Sequence, residues 1–310
     1  MSESKLQNRR EFIKTALIGS TLLAGLNLPA RELRKEKALK NITILYTNDQ
    51  HSRIEPFPDN HPEFANMGGF AKRAKLIKQI RTEQENILLL DAGDIFQGTP
   101  YFNYYHGELE YKLMTEMGYD AVTLGNHDFD LGIDNLITQM PHAQFPFINC
   151  NYNFVDTALA GKIIPHKVFK KNGIKIGVLG VGIELDGLVD KKLYDGIKYN
   201  NPIECANSAA FHLKKDLGCD YIICLSHLGY KYDTTKVSDL LLAEKSRFID
   251  LIIGGHTHTF LNEPVPVKNS DGLQVLVTQV GWAGIWLGRL DVGFTEYNKK
   301  VAEKGASQKI

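Results

Sequence analysis

The 310-residue sequence predicts an α/β fold with a mixed sheet. Three patterns carry that expectation. Short apolar runs of strand length recur along the chain, and segments with apolar residues at helical spacing lie between them. One Asn-Gly turn joins two runs as a hairpin, which makes the sheet mixed. Apolar residues make up 43% of the chain, enough for a sizeable core.

The elements follow in order. The first run, Ile42 to Tyr46, leads into Thr47-Asn48-Asp49-Gln50-His51. A loop with Pro56, Pro58 and Pro62 follows, and Gly68-Gly69 opens a helix with Phe70, Ala74, Ile77 and Ile80 on one face. Ile87 to Leu90 leads into Asp91-Ala92-Gly93-Asp94. Leu109, Leu113 and Met117 mark a helix stopped by Gly118. Ala121 to Leu124 leads into Gly125-Asn126-His127-Asp128. His166 to Lys170 and Ile174 to Val181 form the hairpin, with Asn172-Gly173 at its turn. Asn201-Pro202-Ile203-Glu204 is a helix start, with a capping side chain, Pro at the first position and Glu at the third; Gly218 ends that helix. Tyr221 to Leu225 leads into Ser226-His227, and Leu251 to Ile253 into Gly254-Gly255-His256-Thr257-His258. Leu273 to Val280 and Ile285 to Phe294 read as a further strand pair. Residues 298–310 are polar and are expected to fray. The chain thus divides into an export signal and spacer over 1–40, one catalytic domain over 41–297, and a polar tail.

Charge is unevenly placed. The first 40 residues hold nine Lys/Arg against four Asp/Glu, while the whole chain is neutral, so the remainder is net negative. That excludes a nucleic-acid footprint on the folded part. Arg9-Arg10, followed by Phe12, Ile13 and Lys14 and then an apolar stretch to Leu28, resembles a twin-arginine export signal. A periplasmic or cell-envelope location is expected. The cleavage site around Leu28-Pro29-Ala30 is poor, so membrane attachment through an uncleaved signal stays open. The four cysteines form no metal-binding spacing and read as buried free thiols, with one disulfide after export left open.

The five clusters place Asp, His and Asn at strand ends, and in α/β sheets ligands bind beyond the carboxyl ends of strands. Asp49 and His51 are two apart, so in extended chain both point to one side and reach one cation. His256 and His258 repeat the spacing. Gly93 lets the backbone bring Asp94 close, and a carboxylate can bridge two ions. Asn126 supplies an amide oxygen, and His227 stands alone. Seven candidate ligands exceed a tetrahedral site and suit two divalent ions, with Mn, Zn, Co or Fe all compatible with oxygen and imidazole donors. Such a pair activates a water and clamps an in-line displacement.

Asp49-x-His51, Gly93-Asp94, Gly125-Asn126-His127-Asp128, His227 and Gly255-His256-x-His258 together resemble the calcineurin-like metallophosphoesterases. Tyr46-Thr47-Asn48-Asp49, Gln97-Gly98-Thr99-Pro100, Gly118-Tyr119-Asp120 and Phe129-Asp130 are similar to the 5′-nucleotidase and UDP-sugar hydrolase branch. The resemblance implies a four-layer α/β/β/α sandwich. It implies that Asp49, His51, Asp94 and His258 hold one ion, and that Asp94, Asn126, His227 and His256 hold the other. It implies a catalytic dyad of His127 and Asp130, with Asp128 a helix-start or supporting carboxylate. His258 departs from the nucleotidase branch, which often has Gln there.

The function expected is hydrolysis of phosphate monoesters, with 5′-nucleotides as substrates, by in-line attack of a metal-bound hydroxide. A phosphodiesterase or thiosulfohydrolase-like sulfur-ester hydrolase of the same fold is the rival enzyme reading. A non-catalytic metal-binding subunit is the rival of another class. Nucleotidases of the family carry a C-terminal domain that grips the nucleoside, and the expectation here is a separate polypeptide in that role.

Overall fold

The computed structural model describes residues 40–310; the export signal read at Arg9-Arg10 lies outside the described residues. Among the described residues no helix is long and apolar enough to cross a membrane.

The strands are β1 (Lys40–Thr47), β2 (Ile87–Asp91), β3 (Ala121–Val122), β4 (Phe147–Ile148), β5 (Tyr152–Asn153), β6 (Ile163–Ile164), β7 (His166–Lys171) and β8 (Ile174–Gly182). They continue with β9 (Lys198–Tyr199), β10 (Tyr221–His227), β11 (Leu251–Gly254), β12 (Val265–Lys268), β13 (Gln274–Thr278), β14 (Trp286–Phe294) and β15 (Lys300–Lys309). The α-helices are α1 (Phe70–Glu83), α2 (Pro100–Tyr105), α3 (Glu108–Met117), α4 (Gly132–Gln139), α5 (Pro202–Phe211) and α6 (Asp239–Lys245). One sheet runs β15-β14-β1-β2-β3-β4-β6 and a second β12-β13-β11-β10-β8-β7, with a short ribbon β5-β9 beside them. Both large sheets are mixed: β1, β2, β3, β4 and β6 are parallel to one another, as are β8, β10, β11 and β13, with antiparallel strands at the flanks.

Side-chain alternation sorts the layers. Ile42, Ile44, Leu88 and Leu90 of the first sheet face Ile176, Val178, Ile223 and Ile253 of the second in one buried cluster. Leu45, Leu89 and Val122 point the other way, onto Ile77 and Ile80 of α1 and Tyr111 and Met114 of α3. Ile222, Cys224, Ile252 and Val277 pack against Ala206 and Ala210 of α5 and Leu242 of α6. Every central strand is therefore apolar on both faces, and the architecture is the expected four-layer α/β/β/α sandwich.

The Asn201 cap forms as expected: its side chain accepts hydrogen bonds from Ile203 N and Glu204 N, with Pro202 in the first turn. The hairpin forms too, from Lys171 opposite Ile174 to His166 opposite Leu179. Cys150, Cys205, Cys219 and Cys224 are all free thiols.

Two expectations are corrected. The late runs do not pair with each other. β13 lies between β11 and β12 in the second sheet, while β14 pairs with β1 in the first, so Gly281 to Ile285 carry the chain across between sheets. Adjacency in sequence favoured a hairpin, but each run is apolar enough to be buried in a different sheet. The polar tail does not fray. Residues Lys300–Lys309 form β15, antiparallel to β14 along its whole length. An edge strand is held by backbone hydrogen bonds and shows one face to water, so a polar composition is compatible with it.

Replacing Asn201 by Ala is expected to cost about 1 kcal/mol, the usual worth of a side-chain N-cap. In a domain of this size that is a fall in Tm of roughly 2–4 °C, read by thermal unfolding; an unchanged Tm would show that the cap contributes nothing.

Candidate metal centre

The carboxyl ends of β1, β2 and β3 from one sheet and of β10 and β11 from the other open on the same edge, and all the chemistry-bearing residues sit just beyond them. The chain does not stay extended there. Asp49, His51, Asp94, His256 and His258 all have left-handed φ, between 48° and 76°. The extended i, i+2 geometry expected for Asp49 and His51 is thus replaced by a tight turn. It is costly for residues other than Gly, so it must be held. Asp49 N donates to Gly93 O at 2.9 Å, and His51 N to Asp94 O at 3.1 Å, tying the β1 loop to the β2 loop. Glycine is required where these loops touch. A Cβ on Gly93 would lie 2.5 Å from Gly125 N, and one on Gly255 would lie 2.8 Å from His227 Nδ1.

The residues gather in two groups, each with ligand atoms mutually within 4.8 Å: Asp49, His51 and His258, and Asp94, His227 and His256. In the first, His51 Nε2 and His258 Nε2 are 3.0 Å apart, and His258 Nε2 is 3.3 Å from Asp49 Oδ1. In the second, His227 Nε2 is 3.0 Å from Asp94 Oδ2. Asn126 Oδ1 is 2.8 Å from His256 Nδ1, which adds the amide to this group. The groups adjoin, since His227 Nε2 is also 4.0 Å from Asp49 Oδ1. His256 and His258 therefore serve different groups despite their spacing.

The donor set can be tested for metal without a metal. His227 Nδ1 faces Ala92 O at 2.7 Å and donates its proton there. Its Nε2 is fully buried and points among carboxylates, 3.0 Å from Asp94 Oδ2, a place that calls for a cation. His51 Nδ1 likewise faces Phe96 O at 3.2 Å. Orienting a ring through its second nitrogen is how ligand histidines are held. With carboxylate, imidazole and amide donors and no thiolate, the residues fit two divalent ions.

The electrostatics agree. Burial acts to lower the His227 pKa, but Asp94 and Asp49 outweigh it and raise it to about 10, so positive charge is favoured at this position. Burial would raise the Asp94 pKa, yet His227 and His51 hold it well below the usual carboxylate range. Burial lowers the His51 pKa, and burial with neighbouring His227 lowers that of His256 to about 4. Both rings are thus neutral near pH 7, the form that binds metal.

His127 stands at the rim, a third exposed, with its ring 5.4 Å from that of His51. Its Nδ1 is 2.9 Å from Asp130 Oδ2, and that hydrogen bond raises its pKa above the ordinary value. Asp94 Oδ1 accepts the backbone N–H of His127 at 2.8 Å, so dyad and metal group share one loop. Asp128 is a supporting carboxylate: it accepts backbone N–H bonds from Asp94, Ile95, Phe96 and Gly125 and binds the β2 and β3 loops together.

Sequence reasoning missed two residues here. Gln279 donates to Gly255 O at 2.7 Å and accepts from Thr257 Oγ1 and Thr259 N, fixing the loop that carries His256 and His258. Trp282 stacks on His258, with centroids 5.5 Å apart and planes at 9°. Neither lies in a motif. Of the aromatics near the strand ends, Phe96 is core, and Tyr101 donates to Glu55.

Residues 42–260 match the family described as calcineurin-like phosphoesterase. The chain belongs to that family, whose members are metal-dependent hydrolases. Among relatives, it is 33% identical to a snake venom 5′-nucleotidase of Gloydius brevicauda over 85% of this chain and 47% of that protein. It is also 33% identical to the 5′-nucleotidase of Homo sapiens, over 85% of this chain and 48% of that protein. A solved 5′-nucleotidase precursor from Thermus thermophilus superposes with a TM-score of 0.80 at 32% identity, covering 87% of this chain and 55% of that one. This member of the family spans about half the length of the curated relatives it matches. In those relatives the unmatched part lies on the same polypeptide, so they give no support to a separate chain completing the site.

Two outcomes are expected. Asp94→Ala should lose most of both ions, measured by elemental analysis, whereas His51→Ala or His256→Ala should mainly weaken one; two metals retained by Asp94→Ala would refute a shared carboxylate. His127→Asn should keep its metals and lose ~10²–10⁴ in kcat, the range for one acid–base group. If His127 serves as an imidazolium, its raised pKa means that kcat should fall as pH rises through it. Asp130→Asn should move that limb to lower pH, and an unmoved limb would break the dyad.

Proposed function

We propose that this phosphoesterase is a dinuclear enzyme that hydrolyses phosphate monoesters, with 5′-nucleotides as its substrates. The observation that carries the reading is the adjacency of two ligand groups to the His127–Asp130 pair on one strand-end edge. Asp49, His51, Asp94 and His258 would hold one divalent ion; Asp94, Asn126, His227 and His256 would hold the other. Bound there, the pair supplies charge neutralisation and an activated water for in-line displacement at phosphorus.

The chain's own residues do the rest. Asp130 fixes the His127 ring through Nδ1 and favours its charged form, which leaves Nε2 to hold a proton for the phosphoryl or leaving-group oxygen. The Asp128 cradle keeps the β2 and β3 loops from spreading, and Gln279 does the same for the β11 loop. Preorganised groups of this kind need no rearrangement when charge develops.

Nucleotides are favoured because the relatives named above are 5′-nucleotidases and match over most of this chain. A solved sulfate thiohydrolase shares the fold at 18% identity, which says nothing about substrate. The test is a panel on the Mn-loaded protein: AMP, bis(p-nitrophenyl) phosphate and a thiosulfate ester. Phosphate release from AMP should exceed turnover of the other two. Faster cleavage of the diester or the sulfur ester would overturn the monoesterase reading.

A further inference from the structure

His258 is the most exposed member of the first ligand group. Its side chain is 40% exposed, against 7% for His51 and none for Asp49. Its backbone is left-handed, with φ 52°. His51 and His227 each turn their second nitrogen to a backbone carbonyl, Phe96 O and Ala92 O. The Nδ1 of His258 has no hydrogen-bond partner among the described residues; its contacts to His51 and Asp49 run through Nε2. A ligand ring without that second bond needs another means of fixing its plane.

Trp282 supplies one. Its indole lies nearly parallel to the His258 ring, at 9°, with centroids 5.5 Å apart. The indole is itself fixed. Phe57 and Phe64 meet it edge to face, at 5.7 and 6.4 Å. Its two chain neighbours are bonded to the two loops that make the first group: Ala283 N donates to Asp49 O at 2.7 Å, and Gly281 N to Thr259 O at 2.9 Å. A ring lying flat on a fixed ring cannot tip without losing the contact. Stacking thus does for His258 what a hydrogen bond does for His51. The contact also strengthens on coordination, because an imidazole that donates to a cation becomes electron-poor and the indole face is negative. In the second group, His227 and His256 meet only each other's rings among the described residues.

We propose that Trp282 is a positioning residue for the first ion. Its face sets the His258 ring, so affinity at Asp49, His51 and His258 depends on it and affinity at the second group does not. The proposal rests on the dinuclear reading and deepens it.

Equilibrating the Mn-loaded full chain against graded chelator, with bound Mn counted by elemental analysis, reads both sites without turnover. The unchanged protein tests the dinuclear reading: fewer than two ions per chain would end it and this proposal together. Trp282→Ala should weaken one ion by ~10-fold or more, the usual cost of losing a support behind a metal ligand, and leave the other within about threefold. Trp282→Phe keeps a ring face and should recover most of the loss. Trp282→Leu fills the space without one and should not; these two variants serve where Trp282→Ala fails to fold. In a His258→Ala background, Trp282→Leu should cost nothing further, since its effect runs through His258. Equal weakening of both ions, unchanged binding by Trp282→Leu, or an undiminished loss in the His258→Ala background would overturn the assignment.

Discussion

Two carboxylates with almost no access to water, Asp49 and Asp94, are the constraint on which the rest of the site depends. Taking a carboxylate out of water costs several kcal/mol unless charge and hydrogen bonds replace the lost hydration. The fold supplies both. Asp49 accepts from Asn48 Nδ2 at 2.6 Å and from His256 N; Asp94 accepts from His127 N and faces His227. The imidazoles beside them come from both sheets, so the carboxylates are served only when the sheets are packed. Folding and assembly of the centre are in that sense one event.

Beneath the site lies a bed of buried polar groups. Thr47 Oγ1 donates to Asp91 Oδ2 at 2.5 Å, Gln50 Nε2 donates to the same oxygen at 2.8 Å, and the buried Arg73 donates to Gln50. This network joins β1, β2 and α1 under the loops that carry Asp49 and Asp94. Asn48 links the β1 loop to the crossing segment through Gly281 O and Val280 N. A buried network with its bonds made is stiff, and a leftover charge within it is costly. The loops are therefore held in their left-handed turns from below as well as from the side, which is what keeps the ligand atoms converged.

The crossing between sheets also has a functional result. Because β13 and β14 belong to different sheets, the segment between them meets the β1 loop, where Ala283 N donates to Asp49 O, and brings Trp282 onto His258. A hairpin, as the local pattern suggested, would have carried Trp282 elsewhere. The strand formed by the polar tail has a similar reach: Ser307 bonds to Leu261 O and Asn262 O, steadying the loop after His258.

The sequence by itself determined the mixed α/β class and the identity of the gathered residues. Central strands must be apolar on both faces, helices must show one apolar face, and both patterns are local in the chain. Every proposed ligand, from Asp49 to His258, was readable because each follows directly on such a strand. Tertiary structure decided the rest. Which sheet β13 and β14 join depends on partners far away in sequence, and the strand at 300–309 owes its existence to β14 rather than to its own composition. His256 and His258 are equivalent by spacing, yet a left-handed turn sends them to different groups. Gln279, Trp282 and Arg73 carry no signature at all, because their roles arise from contacts between segments that meet only in the folded chain.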